Sequence, residues 1–103
     1  MKVLIDKEVV AKIDDFYTAA MSNHISLSEE TVSAKKQRLI AALKSLADYH
    51  FVYPKAQLKK EWINAGWQEC ICEDFHFAYE VCINETGETI IWIRDAVHSL
   101  MYH

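Results

Sequence analysis

Glycine and proline are scarce in this chain of 103 residues. It contains two glycines and one proline, so it has little of the turn-forming chemistry that long loops and linkers use. The length fits one domain and leaves no room for a second hydrophobic core of useful size. We therefore expect residues 1–103 to form a single compact domain with few long loops.

Long apolar runs are also missing. No apolar run approaches the roughly 20 residues that a transmembrane helix needs. The N-terminal segment MKVLIDKEVV reaches Asp6 after three apolar residues, so it lacks the apolar core of a signal peptide. We expect a cytoplasmic protein that does not enter a membrane.

Cysteine is present in an odd number, which makes a poor disulfide framework. The three cysteines are Cys70, Cys72 and Cys82. Cys70 and Cys72 would share one side of an extended strand and, with a nearby histidine, would be able to hold a metal. A structural zinc site, however, normally has a second ligand pair. Buried thiols that pack as small hydrophobic groups are the favoured interpretation, and neither a metal nor a cofactor is predicted.

Positive charge is scarce in the C-terminal half. Residues 1–50 carry seven basic and seven acidic side chains, whereas residues 51–103 carry four basic and eight acidic ones. A protein that binds nucleic acid through its own surface needs Lys and Arg to neutralise phosphates. The charge distribution therefore disfavours a generic nucleic-acid binder.

The first half of the chain has helical periodicity. Residues 2–5, KVLI, predict a short strand. Apolar residues then recur three or four positions apart, which predicts a helix over residues 7–21 with Asp6 as its N-cap. Ser26 followed by Glu29 forms a capping box for a second amphipathic helix. The break between the helices is short, so we expect an antiparallel helical hairpin.

The second half has the pattern of β-strands. Pro54 ends the helical region, and residues 50–66 are predicted to be irregular. Three extended runs follow, rich in aromatic and β-branched residues: WQECICE, FHFAYEVCI and TIIWIRD. Gly87 supplies the positive φ that the loop between the last two runs needs. These patterns predict an α+β fold of two layers, ordered β-α-α-β-β-β, in which the helical hairpin packs on one face of a sheet built on an antiparallel meander. Residues 2–5 join that sheet.

Alternation along the strands predicts which residues face the helices. The predicted core-facing residues of the last two runs are all apolar: Phe75, Phe77, Tyr79, Val81, Ile83, Ile91 and Ile93. Trp92 and Arg94 would then lie on the opposite face, and His98 would continue that face if the strand persists. Whether the last strand remains extended or turns helical, a spacing of four makes Arg94 and His98 neighbours. The chain is therefore predicted to end in a functional cluster. Trp62 and Trp67 are interpreted as caps on the edge of the core.

One segment adds a family resemblance to this pattern. In FHFAYEVCINETGETIIWIRDAVHS, the run Ala78-Tyr79-Glu80-Val81 precedes a tight turn and an apolar strand that ends in Arg94 and His98. This segment and the order of elements resemble the RelE/ParE superfamily, the toxins of bacterial type II toxin–antitoxin systems, over almost the whole chain. The resemblance implies a growth-inhibiting toxin with a cognate antitoxin as its partner. Members act either by cleaving messenger RNA on the ribosome or by poisoning DNA gyrase.

For the RNA-cleaving branch, the resemblance implies a catalytic role for the end of the chain. Arg94 would stabilise charge on the phosphate, while His98 and Tyr102 or His103 would transfer protons. Three lysines would form a basic approach for the substrate: Lys55, Lys59 and Lys60.

Each of these roles has a structural alternative. Arg94 would instead pair with Asp95 or Glu80, His98 would be a solvated or locally hydrogen-bonded residue, and the lysines would belong to a solvated loop. The first strand of the meander also lacks the arginine that ribosome-dependent members often carry. Whether the protein is an enzyme is therefore left open, and the alternative function is a protein–protein interaction module that keeps the toxin fold without catalytic activity.

Overall fold

The computed structural model describes residues 2–23 and 27–102 and confirms the prediction of an α+β protein. Its helices and strands are, in chain order, β1 (Lys2–Ile5), α1 (Lys7–Asn23), α2 (Glu29–Lys44), α3 (Leu46–Tyr49), a 3₁₀ turn (His50–Val52), α4 (Lys60–Ala65), β2 (Gln68–Cys72), β3 (Phe75–Ile83), β4 (Thr89–His98) and a 3₁₀ turn (Ser99–Met101). None of the helices within the described ranges is long and apolar enough to cross a membrane.

The two long helices form where the apolar periodicity predicts them. The buried residues of α1 are Val9, Ile13 and Tyr17, which are spaced by four, as expected for a helix with one buried face. The predicted N-cap Ser26 lies outside the described residues. The residue that caps α2 is Ser28, whose hydroxyl accepts a hydrogen bond from the Thr31 backbone N–H at 3.2 Å.

The sheet is mixed rather than antiparallel throughout. Its strand order is β1-β4-β3-β2. The three C-terminal strands form the predicted antiparallel meander, whereas β1 runs parallel to β4 and pairs with residues 90–93. The expectation that residues 2–5 join the sheet is confirmed.

Two tight turns connect the meander. Glu73, between β2 and β3, has a φ of 52°, and Gly87, between β3 and β4, has a φ of 83°. The positive φ predicted for Gly87 is therefore present. The Asn84 side-chain oxygen accepts hydrogen bonds from the backbone N–H groups of Thr86 and Glu88, which fixes this second turn.

The two faces of the sheet are covered differently. We call the face that α1 and α2 cover the helix face and the opposite one the outer face. The main core lies between these helices and the helix face, and it includes Phe75, Phe77 and Tyr79. A smaller cluster lies on the outer face, where fully buried Trp62 from α4 packs against Ala78. The prediction that residues 50–66 are irregular is therefore wrong for α4, which forms a partial third layer.

A β-bulge interrupts the pairing of β3 with β4. Tyr79 pairs with Ile93 and Ala78 pairs with Asp95, so Arg94 is the extra residue. A bulge shifts the alternation of side chains by one residue. Beyond Arg94, the side chains at positions 96 and 98 face the helices instead of the outer side.

Two residues predicted to pack under the helices do not. Val81 and Ile83 lie on the helix face in register with Ile91 and Thr89, as the alternation predicts. Their side chains are nevertheless 39% and 71% exposed. The prediction that they are core residues is wrong because β2 begins opposite Tyr79 and leaves this end of β3 at the edge of the sheet.

Candidate functional site

Arg94 is held on the outer face by carboxylates and aromatic rings. Its Nε donates to Glu80 Oε2 at 2.8 Å, and its Nη1 lies 3.8 Å from Asp6 Oδ2. The guanidinium carbon lies 3.6 Å from the centroid of the Trp92 ring. The Trp67 indole also donates to Glu80, at 3.1 Å. We call these five residues the Arg94 network, and its two carboxylates outnumber its one guanidinium cation.

The carboxylate of Asp6 serves this network rather than α1. Its Oδ1 accepts a hydrogen bond from the Trp92 indole at 2.5 Å. The Asp6 carbonyl accepts the Val10 backbone N–H at 3.4 Å, so the helix begins here through the backbone. The side-chain cap predicted for Asp6 is replaced by the contact of its carboxylate with Trp92 of β4.

His98 lies on the helix face, away from Arg94. Its ring stacks on Phe16 of α1 at a centroid distance of 3.8 Å and meets the edge of Phe75 at 5.1 Å. Its Nδ1 accepts the Leu100 backbone N–H at 3.1 Å, and burial lowers the pKa of this imidazole. The prediction that Arg94 and His98 are neighbours is wrong, because the bulge places them on opposite faces of the sheet.

Tyr102 belongs to a different cluster on the outer face. Its ring stacks on His76 at 3.9 Å, and its hydroxyl donates to Glu69 Oε1 at 2.7 Å. The other oxygen of Glu69 lies 2.9 Å from His76 Nδ1. Burial, reinforced by the bond to Glu69, raises the pKa of Tyr102 to about 12, so the phenol is a hydrogen-bond donor at neutral pH. His103 lies outside the described residues.

The predicted basic approach is partly engaged in local contacts. Lys55 Nζ donates to the Gly66 carbonyl at 2.8 Å. Lys59 lies 3.7 Å from Glu61, and Lys60 is an exposed residue at the start of α4. Their role in substrate binding stays a prediction.

The sequence does not predict the contact between Trp62 and Asp95. The indole of Trp62 donates to Asp95 Oδ2 at 2.8 Å, and Lys12 of α1 bonds the other carboxylate oxygen. Burial acts to raise the pKa of Asp95, but the hydrogen bonds from Lys12, Trp62 and the Ala96 backbone N–H outweigh it and lower that pKa. These partners are far apart in the chain, so no local motif could have revealed the contact.

The cysteines take two different places in the sheet. Cys70 is buried on the helix face opposite Phe77, and Cys72 lies on the same face opposite Phe75. Cys82 pairs with Ile90 on the outer face. In the part of the chain that the structure describes, no three His, Cys, Asp or Glu residues are grouped so that they could hold a metal ion.

Two shallow concavities lie on α2, and the smaller one also reaches α1. One concavity of about 400 Å³ is lined by Ile40, Ala41, Lys36 and Lys44 together with neighbouring polar residues. A smaller one, of about 90 Å³, shares Lys36 and Ile40 and reaches Val10 of α1. We call these two concavities the helix groove.

The comparisons with known proteins give no match. No family model, curated protein or solved structure is similar to this chain. The resemblance to the RelE/ParE superfamily therefore stays a prediction that rests on the sequence pattern.

Proposed function

We propose that this chain is a protein-binding module of the RelE/ParE type that does not cleave RNA. The observation that carries the proposal is the separation of Arg94 from His98 by the sheet, together with the hydrogen bond between Arg94 and Glu80. The order of a short strand, two long helices and a three-stranded meander supports the family part of the proposal.

The electrostatics of the outer face support a non-catalytic role. Cleavage of a phosphodiester needs a cation beside the phosphate and an acid or base within hydrogen-bond reach of the reacting oxygens. Glu80 and Asp6 already surround Arg94, so a phosphate would have to displace a carboxylate and face another. His98 lies on the opposite face of the sheet, where its ring stacks on Phe16, and the imidazole of His76 on the outer face already contacts Glu69.

The helix groove supports the protein-binding part. Lys36 pairs with Asp14 at 2.7 Å, and Val10 and Ile40 line the same concavity as these two residues. The floor of the groove is apolar, and Val10 is 40% exposed. A partner helix would bury these side chains by inserting its own apolar stripe.

The rim of the groove indicates the charge of the partner. Lys44 lies at one end and has no ion-pair partner among residues 2–23 and 27–102. Lys36, about two helical turns before Lys44, is half-buried and already forms an ion pair with Asp14. We propose that the partner is an antitoxin whose binding segment is an acidic amphipathic helix, since acidic side chains would complement the positive charge of Lys44.

The test measures binding to the product of the gene next to this one, provided that it is short and has an acidic second half. Lys44→Glu should weaken binding about tenfold or more, because it places a like charge against the acidic helix. Lys60→Glu is the matched control, since it makes the same charge change on α4. Isothermal titration calorimetry at two salt concentrations gives the affinities. Equal affinities for the two variants would refute this docking site.

A further inference from the structure

Strand β3 extends beyond the strand that covers its edge. β2 pairs with Phe75–Tyr79 only, and its first residue, Gln68, lies opposite Tyr79. The four residues that follow, 80–83, are paired with β4 on one side. On the other side the structure describes no strand next to them.

The hydrogen-bonding groups of this edge can be assigned from the turn. The Asn84 backbone N–H donates to the Glu88 carbonyl at 2.9 Å, so the backbone of Asn84 faces β4. Backbone direction alternates along an antiparallel strand, so Cys82 also faces β4, whereas Val81 and Ile83 face away from it. Within the described part of the chain, the N–H and C=O groups of Val81 and Ile83 therefore form an open edge, which we call the β3 edge.

Strand β4 is also incompletely covered, but its open edge is protected against pairing with another chain. β1 ends at Ile5, opposite Ile93 of β4, and the rest of β4 continues beyond it. There the Ala96 backbone N–H bonds to the carboxylate of Asp95 at 2.8 Å, and Lys12 bonds the same carboxylate oxygen. Charged groups on an edge are a common protection against pairing with another chain. The β3 edge, residues 81–83, has neither a charged residue nor a proline.

We propose that the β3 edge pairs antiparallel with the β3 edge of a second copy of this chain, about a two-fold axis. Two sheets of four strands would then join into one of eight. This inference goes beyond the proposed antitoxin binding and uses a different surface from the helix groove.

The backbone N–H and C=O groups of Val81 and Ile83 determine the register of this pairing. Val81 pairs with Ile83 of the second copy and Ile83 with its Val81, which gives four inter-chain hydrogen bonds. A register shifted by one hydrogen-bonded pair in either direction gives two inter-chain hydrogen bonds. The backbone of Tyr79 is already paired with Gln68, and the turn begins at Asn84. A two-fold axis through Cys82 is therefore the arrangement that satisfies the most edge groups.

The side chains in this register are compatible with a contact between two identical chains. Glu80 would lie opposite Asn84 of the second copy, so no like charges face each other directly. On the helix face, the exposed side chains of Val81 and Ile83 would pack beside Ile83 and Val81 of the second copy. The Tyr79 hydroxyl bonds the His50 carbonyl at 2.5 Å, so the neighbouring 3₁₀ turn lies over β3 close to this edge. That turn adds two more exposed apolar side chains, Phe51 and Val52.

Cys82 provides a direct probe of the register. In the proposed pairing Cys82 faces its own copy as a non-hydrogen-bonded pair, for which Cα atoms lie about 4.5 Å apart. That separation falls within the range of disulfides. In a variant with Cys70→Ser and Cys72→Ser, diamide should oxidise the two Cys82 thiols to one inter-chain disulfide, while the diamide is reduced to its hydrazine.

The oligomeric state is measured by sedimentation equilibrium over a hundredfold range of concentration. A dimer is expected, and Ile83→Lys should raise its dissociation constant at least tenfold because it places a charge on the edge of each copy. Ile71→Lys is the matched control, since Ile71 is 60% exposed on the edge strand β2. Far-UV circular dichroism checks that each variant is folded.

Three outcomes overturn the proposal: a monomer at every concentration, a dimer that Ile83→Lys leaves as tight as the control does, or a dimer in which Cys82 does not cross-link. If Ile83→Lys does not fold, the Cys82 cross-link decides. A Glu88→Cys variant that lacks the other cysteines serves as its control and should cross-link much more slowly, because residue 88 lies in the turn and away from the two-fold axis.

Discussion

The contacts of Arg94 predict that this residue stabilises the fold, and Arg94→Met tests this prediction. Methionine keeps much of the apolar length and removes the guanidinium. A hydrogen bond between charged groups contributes about 1.5–3 kcal/mol, and the side chains of Arg94 and Glu80 are 28% and 32% exposed, so solvent screening places this one near the lower value. The stacking on Trp92 adds about 0.5–1 kcal/mol. The free energy of unfolding should therefore fall by about 2 kcal/mol, which corresponds to a decrease in Tm of roughly 10 °C for a domain of this size.

Urea unfolding followed by circular dichroism measures this loss. Lys60→Met is the control and should change the unfolding free energy by no more than about 0.5 kcal/mol, as is usual for an exposed residue. A double-mutant cycle with Glu80→Gln should give a coupling energy of about 1 kcal/mol. If Arg94→Met is as stable as the wild type, Arg94 does not have the structural role described here.

Two further predictions concern pH. Because hydrogen bonds from Lys12 and Trp62 outweigh burial and lower the pKa of Asp95, its carboxylate stabilises the fold above the unfolded pKa of about 3.9 and loses this effect as the pH falls through its folded pKa. The unfolding free energies of the wild type and Asp95→Asn should therefore differ at pH 7 and converge towards pH 2, and a constant difference would contradict the prediction. Burial lowers the pKa of His98, so the fold should lose stability as the pH falls below about 6.5, where the unfolded chain takes up the proton. NMR titration should place the pKa of His98 below 6.5. The unfolding free energy of His98→Gln should depend less on pH between 7.5 and 5 than that of the wild type. A pKa above 6.5 would show that the stacking on Phe16 does not bury the ring.

The sequence predicts the elements with strong periodicity and misses contacts that depend on distant residues. The buried stripe of α1 and the turn at Gly87 follow from local patterns, and both predictions are correct. The parallel pairing of β1 with β4 joins residues almost ninety positions apart, and nothing near Lys2 or Ile5 indicates it. Trp62 is fully buried although it lies in a polar segment. Its partners, Ala78 and Asp95, come from two different strands, so the local sequence does not indicate this burial.

The candidate site shows how one residue changes a prediction. Alternation places Arg94 on the outer face correctly, and the same rule places His98 there as well. The extra residue in β4 reverses the pattern after Arg94. Bulges have no strong sequence motif, so this reversal could not be read from TIIWIRDAVHS. The same alternation places Glu80, between Tyr79 and Val81, on the face that Arg94 shares, so the sequence also predicts the alternative pairing of Arg94 with Glu80.

The most direct measurement is the growth of cells that express this chain alone from an inducible promoter. A binding module without catalytic activity should leave the growth rate equal to that of an empty vector at every level of expression, while immunoblotting of the soluble fraction confirms that the protein accumulates. Arg94→Met and His98→Gln should behave in the same way. Growth arrest by the wild type that either substitution abolishes, in variants that still fold, would contradict the proposal and restore the catalytic interpretation of these two residues.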